Sequence, residues 1–443
     1  MKERVFLIHG WSVSETTTYQ ALHKKLGENG FDLREIYLGR YVSLENEVEI
    51  RDIARALHHA LQDQLKKDWS TPFHIVTHST GALIAKQWIV RHYTGNFASR
   101  KPLRNIVFLA GPHFGSRLAH HGRSMLAQAA YWGDTGKQVL TALELGSEFS
   151  WQVNEAWLEP GNWKTKGIRP YNLIGDRVVK QAFKSKIFRA GYEQGSDMVV
   201  RVAAGNLNFK RFELSSRTRK LRPIGTIEQI PFGALADYTH SGLEHGIMNS
   251  ITLRSTPQNH LGLRLILKCL KVRNNAEYSD VRDKLERETR KTRLKKPGFA
   301  QLDFRFLDED GQPIDDYAFK LGAIVKGKPK PSKTVVNTHK NKVDENHFTA
   351  FIKIKDLEPK YAYFIEVESD TDTDLISNKT FNIEIPIQRI TEIITEDQTT
   401  QIDIILSRDP SRGLFVFHHG DDPDLHVKWD RKGEIVKRGL EQK

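Results

Sequence analysis

Short, continuous apolar runs alternate with amphipathic stretches over the first 110 residues. The runs at 4–8, 31–38, 73–78 and 105–110 have the texture of strands buried on both faces. Between them, at 16–28, 47–67 and 81–92, apolar residues recur three and four positions apart. In 47–67 these are Ile50, Ile53, Ala54, Leu57, Leu61 and Leu65, the spacing of one buried helix face. Such alternation predicts a parallel sheet covered by helices on both sides. Functional groups then belong at the carboxyl ends of the strands, where Gly10, Ser79 and Gly111 fall.

The rhythm breaks over 111–166, where Gly111-Pro112-His113-Phe114-Gly115-Ser116 leads into helical sequence holding Trp132, Trp151, Trp157 and Trp163. This insertion is expected to form a helical cap over the serine and to bind an apolar chain. Residues 170–175 resume the sheet, and 208–214 read as a later strand. A helix over 256–272, with Pro257 near its start, closes a first domain spanning 1–275. The charged stretch 276–298 ends in Pro297-Gly298 and reads as a linker. From 299 to 410 the pattern becomes strands at 301–307, 317–325, 348–354, 362–368, 380–385 and 401–406. Asp308-Glu309-Asp310-Gly311 between the first two is a hairpin signal. The expected fold class is an α/β parallel sheet with a helical cap, followed by an all-β immunoglobulin-like sandwich. Residues 411–443 form a polar tail.

The chemistry concentrates at Thr77-His78-Ser79-Thr80-Gly81, which sets one serine between an apolar strand and an apolar helix. It matches the nucleophile elbow G-x-S-x-G except that Thr77 stands for the first glycine. At such an elbow a sharp turn lifts the hydroxyl off the sheet, and the N–H of the next residue, Thr80, faces the oxyanion. Gly81 has the stronger steric reason to be glycine, because the new helix crosses the strand closely there. The opening run Val5-Phe6-Leu7-Ile8-His9-Gly10-Trp11 places a second oxyanion donor, the Trp11 N–H, in the loop after the first strand.

A serine hydroxyl is a weak nucleophile, so it needs a histidine base and a carboxylate that holds the base's tautomer. In this fold class the acid and then the base follow the serine. Asp197, in Gly195-Ser196-Asp197-Met198-Val199-Val200, is the candidate acid, with Asp176 as its competitor. His240, in Tyr238-Thr239-His240-Ser241-Gly242, is the candidate base, with His245 as the alternative. His9 and His78 are expected to brace the turns around them.

Charge and cysteine content narrow the setting. The net charge of +12 favours anionic partners such as phospholipid head groups. No nucleic-acid motif accompanies it, so no nucleic-acid partner is expected. Cys269 is the sole cysteine, which excludes an intrachain disulfide. No apolar run reaches the roughly 18 residues a membrane span needs, and the N-terminus lacks the pattern of a cleaved signal peptide. A cytoplasmic site of synthesis is expected, with any export following a signal-independent route. No metal or cofactor is expected.

The residues 7–11, the elbow at Ser79, the segments 110–116 and 195–200, and His240-Ser241-Gly242 together resemble bacterial lipase-type α/β hydrolases, in the group of GPI-inositol-deacylase-like lipases. The resemblance covers about residues 1–272, and similar hydrolases occur among type VI secretion lipase effectors. This chain departs from the pattern at Thr77 and at Met198, where such lipases commonly carry glycine. The motifs and the resemblance imply a serine esterase, lipase or phospholipase acting on carboxylic esters, and the apolar cap and the positive charge point to a lipid or phospholipid substrate and to peripheral contact with an anionic membrane. A small-ester or thioester hydrolase, and a catalytically silent hydrolase fold whose β module binds a protein partner, are the rival readings.

Overall fold

The computed structural model describes residues 2–10, 20–36, 46–65, 71–122, 136–159, 163–179, 193–358, 360–371, 375–410, 428–429 and 435–437. Its first sheet is built from β1 (Glu3–Ile8), β2 (Phe31–Ile36), β3 (Phe73–His78), β4 (Leu103–Leu109), β5 (Arg169–Gly175) and β8 (Phe232–Leu235). The strands are all parallel and lie in the order β2-β1-β3-β4-β5-β8. That order reverses between β1 and β3, so the crevice at their carboxyl ends is the place where this topology leaves room for a ligand. Gly10 and Ser79 both stand at that crevice.

Helices cover both faces. One core gathers α2 (Ile50–Gln64) and α3 (Gly81–Arg91) against Phe6, Ile8, Ile75 and Phe108. The other gathers α1 (Gln20–Glu28) and a helix at Leu261–Leu270 against Val5, Leu7, Val76 and Val107. The alternation of Phe6 and Ile8 with Val5 and Leu7 shows why these strands are apolar throughout: both faces are inside. Helix α3 is buried from Gly81 to Ile89, including Lys86 and Gln87, because it is packed from several sides.

The cap segment contributes α4 (Lys137–Leu143) and α5 (Glu148–Leu158) among the described residues, while 123–135 lie outside them. Trp132 lies outside the described residues, and the cap's described tryptophans pack inward instead of lining an open groove. Trp151 and Trp157 are fully buried, and Trp157 stacks on Trp163 at 6.1 Å. Lys86 lies over the Trp157 ring and donates to Asn154, which in turn donates to the His113 carbonyl at 3.0 Å. That relay ties the elbow helix, the cap and the loop after β4 together. The Leu261–Leu270 helix is α6, shorter than the expected 256–272, since His260 caps it by accepting from the Leu263 N–H.

The second region departs from the expected sandwich in three ways. The charged stretch 276–298 is not a linker: α7 (Asn275–Lys295) fills it and packs on β8 through Val281 and Leu285. Thr289 accepts from the Ala234 N–H and Thr292 donates to the Ala234 carbonyl, fastening the two together. Next, β6 (Phe209–Ser215) and β7 (Leu221–Ile227) leave the first, parallel sheet and join a mixed sheet with later strands. Its order is β12-β13-β9-β17-β6-β7, with β17 (Thr399–Leu406) parallel to both β6 and β9 (Phe299–Asp308). Here β12 is Val335–Lys340 and β13 is His347–Lys353.

The turn at Asp308–Gly311 is real, with Gly311 at φ +79° and an antiparallel bridge between Leu307 and Pro313, yet the two strands it separates do not pair with each other. After it the chain crosses to a four-stranded sheet, β11-β10-β14-β16. These strands are β10 (Tyr317–Val325), β11 (Lys328–Pro331), β14 (Ala362–Ser369) and β16 (Phe381–Ile385). Phe304, Phe306 and Ile404 of the mixed sheet share one core with Ile365, Val367 and Phe381 of the smaller one. The β-rich region is therefore a two-sheet body that includes residues 209–227, and the tail beyond 410 is described only at 428–429 and 435–437.

Because β6 pairs along its length with β17, residues 1–298 alone expose Phe212 and Leu214 and leave β6 an open strand edge. Each such side chain forfeits about 1.5–3 kcal/mol of burial. A 1–298 fragment is expected to aggregate or bind ANS, and a monodisperse fragment with a cooperative melt would contradict this. A second expectation concerns pH. Burial lowers His9 from the ordinary 6.5 to about 4 and His78 to about 3. Both are neutral in the fold, so the unfolded chain takes up more protons below about 6.5. Stability contributed by their neutral forms is complete above that pH and lost as pH falls towards the folded values. Unfolding free energy should drop by up to about 1.4 kcal/mol per pH unit for each residue, checked by denaturant melts from pH 7 to 5.

Candidate active site

The turn between β3 and α3 holds Ser79 at φ +55°, in the left-handed region where a side chain is strained. Its N–H donates to the Leu109 carbonyl of β4 at 3.0 Å, which pins the strained residue to the sheet. A Cβ on Gly81 would lie 2.5 Å from the Ile8 carbonyl oxygen, and one on Gly10 would lie 2.8 Å from the Ser79 Cβ. Glycine is thus needed where α3 crosses β1 and where the loop after β1 passes the serine. Thr77, lying within β3 and fully buried, meets no such demand, which explains its tolerance of a side chain.

His240 stands on a loop that closes on itself through Thr239 N–H to the His245 carbonyl and Ile247 N–H to the Thr239 carbonyl, each 2.9 Å. Its Nε2 lies 2.9 Å from Ser79 Oγ and its Nδ1 2.9 Å from Asp197 Oδ2. The second Asp197 oxygen accepts from the Val199 N–H at 2.9 Å and the Val200 N–H at 2.7 Å. An ionised carboxylate only accepts, so Nδ1 carries the proton and Nε2 presents its lone pair to the serine hydroxyl. The backbone repeats the link, with the His240 N–H donating to the Asp197 carbonyl at 2.9 Å. Asp197 is fully buried and His240 nearly so.

His78 supports this set from below. Its Nε2 donates to the His240 carbonyl at 3.0 Å, and desolvation by burial, then the neighbouring His240, keeps the ring neutral. The competing residues stand elsewhere. Asp176 pairs with Arg293 at 2.8 Å, and Arg293 also reaches Asp397 at 2.8 Å, while burial first of all pushes the Asp176 carboxyl up. His245 pairs with Glu244 at 3.0 Å. Thr80 precedes the first residue of α3, so its N–H lies at the positive end of that helix. Trp11 lies outside the described residues.

Met198 adopts φ +84°, a conformation costing an L residue about 1–2 kcal/mol. The turn that gives Asp197 its two amide donors imposes it, and this is the position where glycine is common in the lipases the sequence resembles. Arg201 is a buried residue that sequence reasoning missed. In the chain it reads as one more surface cation, and no local pattern marks it as buried. Among the described residues, no group of three His, Cys, Asp or Glu side chains could hold a metal ion.

No family model matches the chain, and no curated protein matches it. Among solved structures, phospholipase PlaB from Legionella pneumophila shares its fold at a TM-score of 0.85 and 26% identity, over 96% of this chain and 97% of that one. The same phospholipase in complex with thio-NAD gives 0.85 and 26% over 98% of this chain and 100% of that one. Lipase BlEst2 from Bacillus licheniformis reaches a TM-score of only 0.36 at 16% identity, over 46% of this chain and 79% of that one. The likeness to PlaB runs through the β-rich region as well as the parallel sheet. It supports a bacterial lipase-type hydrolase without singling out the GPI-inositol-deacylase-like group or a type VI secretion effector. The chain is accordingly an enzyme of the carboxylic ester hydrolase class on an α/β-hydrolase sheet.

Proposed function

We propose that the chain is a serine lipase or phospholipase that cleaves carboxylic esters through Ser79, His240 and Asp197. The observation that carries this reading is the unbroken line of hydrogen bonds from Asp197 through His240 to Ser79, 2.9 Å at each step. As Ser79 Oγ attacks the ester carbonyl carbon, His240 Nε2 takes its proton. The oxyanion that forms is met by the Thr80 N–H at the start of α3, with the Trp11 N–H as the second donor. Asp197, ionised and out of water, balances the imidazolium and keeps its ring in place. His240 then gives the proton to the departing alcohol, and water repeats the route to release the acid.

A phospholipid is the proposed substrate. Two observations support it: the likeness to an enzyme named a phospholipase, and the net charge of +12, which draws the protein to anionic head groups. Contact with the membrane is peripheral in this reading, since no described helix is long and apolar enough to cross one.

Turnover of long-chain phospholipid vesicles by purified variants tests the reading. Ser79→Ala should melt like the wild type and lose at least ~10³-fold in kcat, and Asp197→Asn should lose about 10³–10⁴-fold. Full activity in Ser79→Ala would contradict the mechanism. Turnover confined to short, monomeric esters would instead mark a small-ester hydrolase.

A further inference from the structure

Asp197 sits on a loop, residues 193–202, with no helix or strand of its own. A loop costs conformational entropy to hold still, yet the carboxylate must stay within a fraction of an ångström of His240. The two ends of the loop are drawn together by the Val202 N–H donating to the Gly195 carbonyl at 2.8 Å. What anchors that closed loop comes from the β-rich region. Arg201, with 1% of its side chain exposed, donates from Nε and Nη2 to the two Glu193 oxygens at 2.7 and 3.0 Å. Its Nη1 donates to Gln301 Oε1 of β9 at 3.1 Å, and its guanidinium lies 4.2 Å over the Phe351 ring of β13. Phe351 stacks on Phe299 at 4.8 Å, and a Cβ on Gly195 would run into that Phe299 ring. Gln301 is fully buried and its other end donates to the Phe114 carbonyl at 3.3 Å, so one side chain fixes two loops at the rim.

We propose that Arg201, clamped on Gln301 and Phe351 of the β-rich region, is a positioning residue that sets the Asp197–His240 hydrogen bond. The β-rich region is then a working part of the hydrolase site rather than an appended module. This rests on the reading of Ser79, His240 and Asp197 as the catalytic set. Arg201 touches neither Ser79 nor His240 in any described contact, so it acts only through the placement of Asp197. Glu193 answers its charge, and Gln301 and Phe351 determine where that ion pair sits. A guanidinium suits this task because its planar fork serves the carboxylate and the amide at once while its face covers a ring.

The test compares Arg201→Met, Arg201→Lys, Gln301→Leu and Phe351→Leu with Val367→Ala, a substitution in the β-region core on the four-stranded sheet. Rates are normalised to sites titrated with a fluorophosphonate. Arg201→Met and Gln301→Leu should lower kcat about 10–100-fold with KM held within about threefold, the signature of misplaced groups. Arg201→Lys should fall between them and the wild type, and Val367→Ala should melt earlier yet keep its kcat. In proton NMR the hydrogen-bonded His240 Nδ1 proton should give a far-downfield resonance that Arg201→Met shifts or abolishes. Unchanged kcat in folded Arg201→Met, or an equal loss in Val367→Ala, overturns the proposal. If Arg201→Met does not fold, Gln301→Leu and Phe351→Leu decide it, and unchanged kcat in both overturns it. Should the wild type hydrolyse no ester, the catalytic reading fails on its own. The downfield resonance still tests the positioning, and its persistence unshifted in Arg201→Met refutes it.

Discussion

A carboxylate taken wholly out of water is tolerable only when donors answer its oxygens, and Asp197 is such a carboxylate. Two amides of its own turn saturate one oxygen, which leaves the other free to point at His240 alone. That division of labour fixes the imidazole tautomer and hence the direction of any proton transfer from Ser79. It also explains the cost borne by Met198: the turn that brings both amides inward needs a left-handed residue after the acid. The chemistry thus begins with satisfying a buried charge, and the geometry of the loop follows from it.

The serine is held by the opposite kind of constraint, one of space. The left-handed backbone of Ser79 persists because α3 presses against β1 at Gly81, the loop after β1 presses on the serine at Gly10, and β4 accepts its N–H. Neither arrangement is local. The elbow depends on three neighbouring strands, and the acid loop depends on strands that arrive a hundred residues later. The mixed sheet is what joins these distant parts. With β17 lying between β6 and β9, the hydrolase half and the C-terminal half share one continuous hydrogen-bonded layer.

Much of this was legible in the chain, and the parts that were not share a physical cause. Apolar runs and their helical partners predicted the parallel sheet, because burial on both faces leaves a pattern within a few residues. Ser79, Asp197 and His240 stood out through their turns and their order, and the structure brings their side chains into contact. The sheet to which a strand belongs leaves no such mark: β6 alternates in the same way whether it pairs with β5 or with β17. Helix α7 read as a linker because its buried face includes Glu288 and Thr292 beside Val281 and Leu285. The turn at Asp308–Gly311 was visible, whereas the crossing to another sheet was not. Arg201 is inside only because a ring and an amide from β13 and β9 close over it.

The central claim is that Ser79 Oγ is the atom that attacks the substrate. It is tested most directly by treating the enzyme with a fluorophosphonate and mapping the adduct by mass spectrometry while activity is followed. The account predicts a single adduct on Ser79, with hydrolysis lost in proportion to its formation. Complete modification of Ser79 with hydrolysis intact, or inactivation through an adduct on another residue, would contradict it.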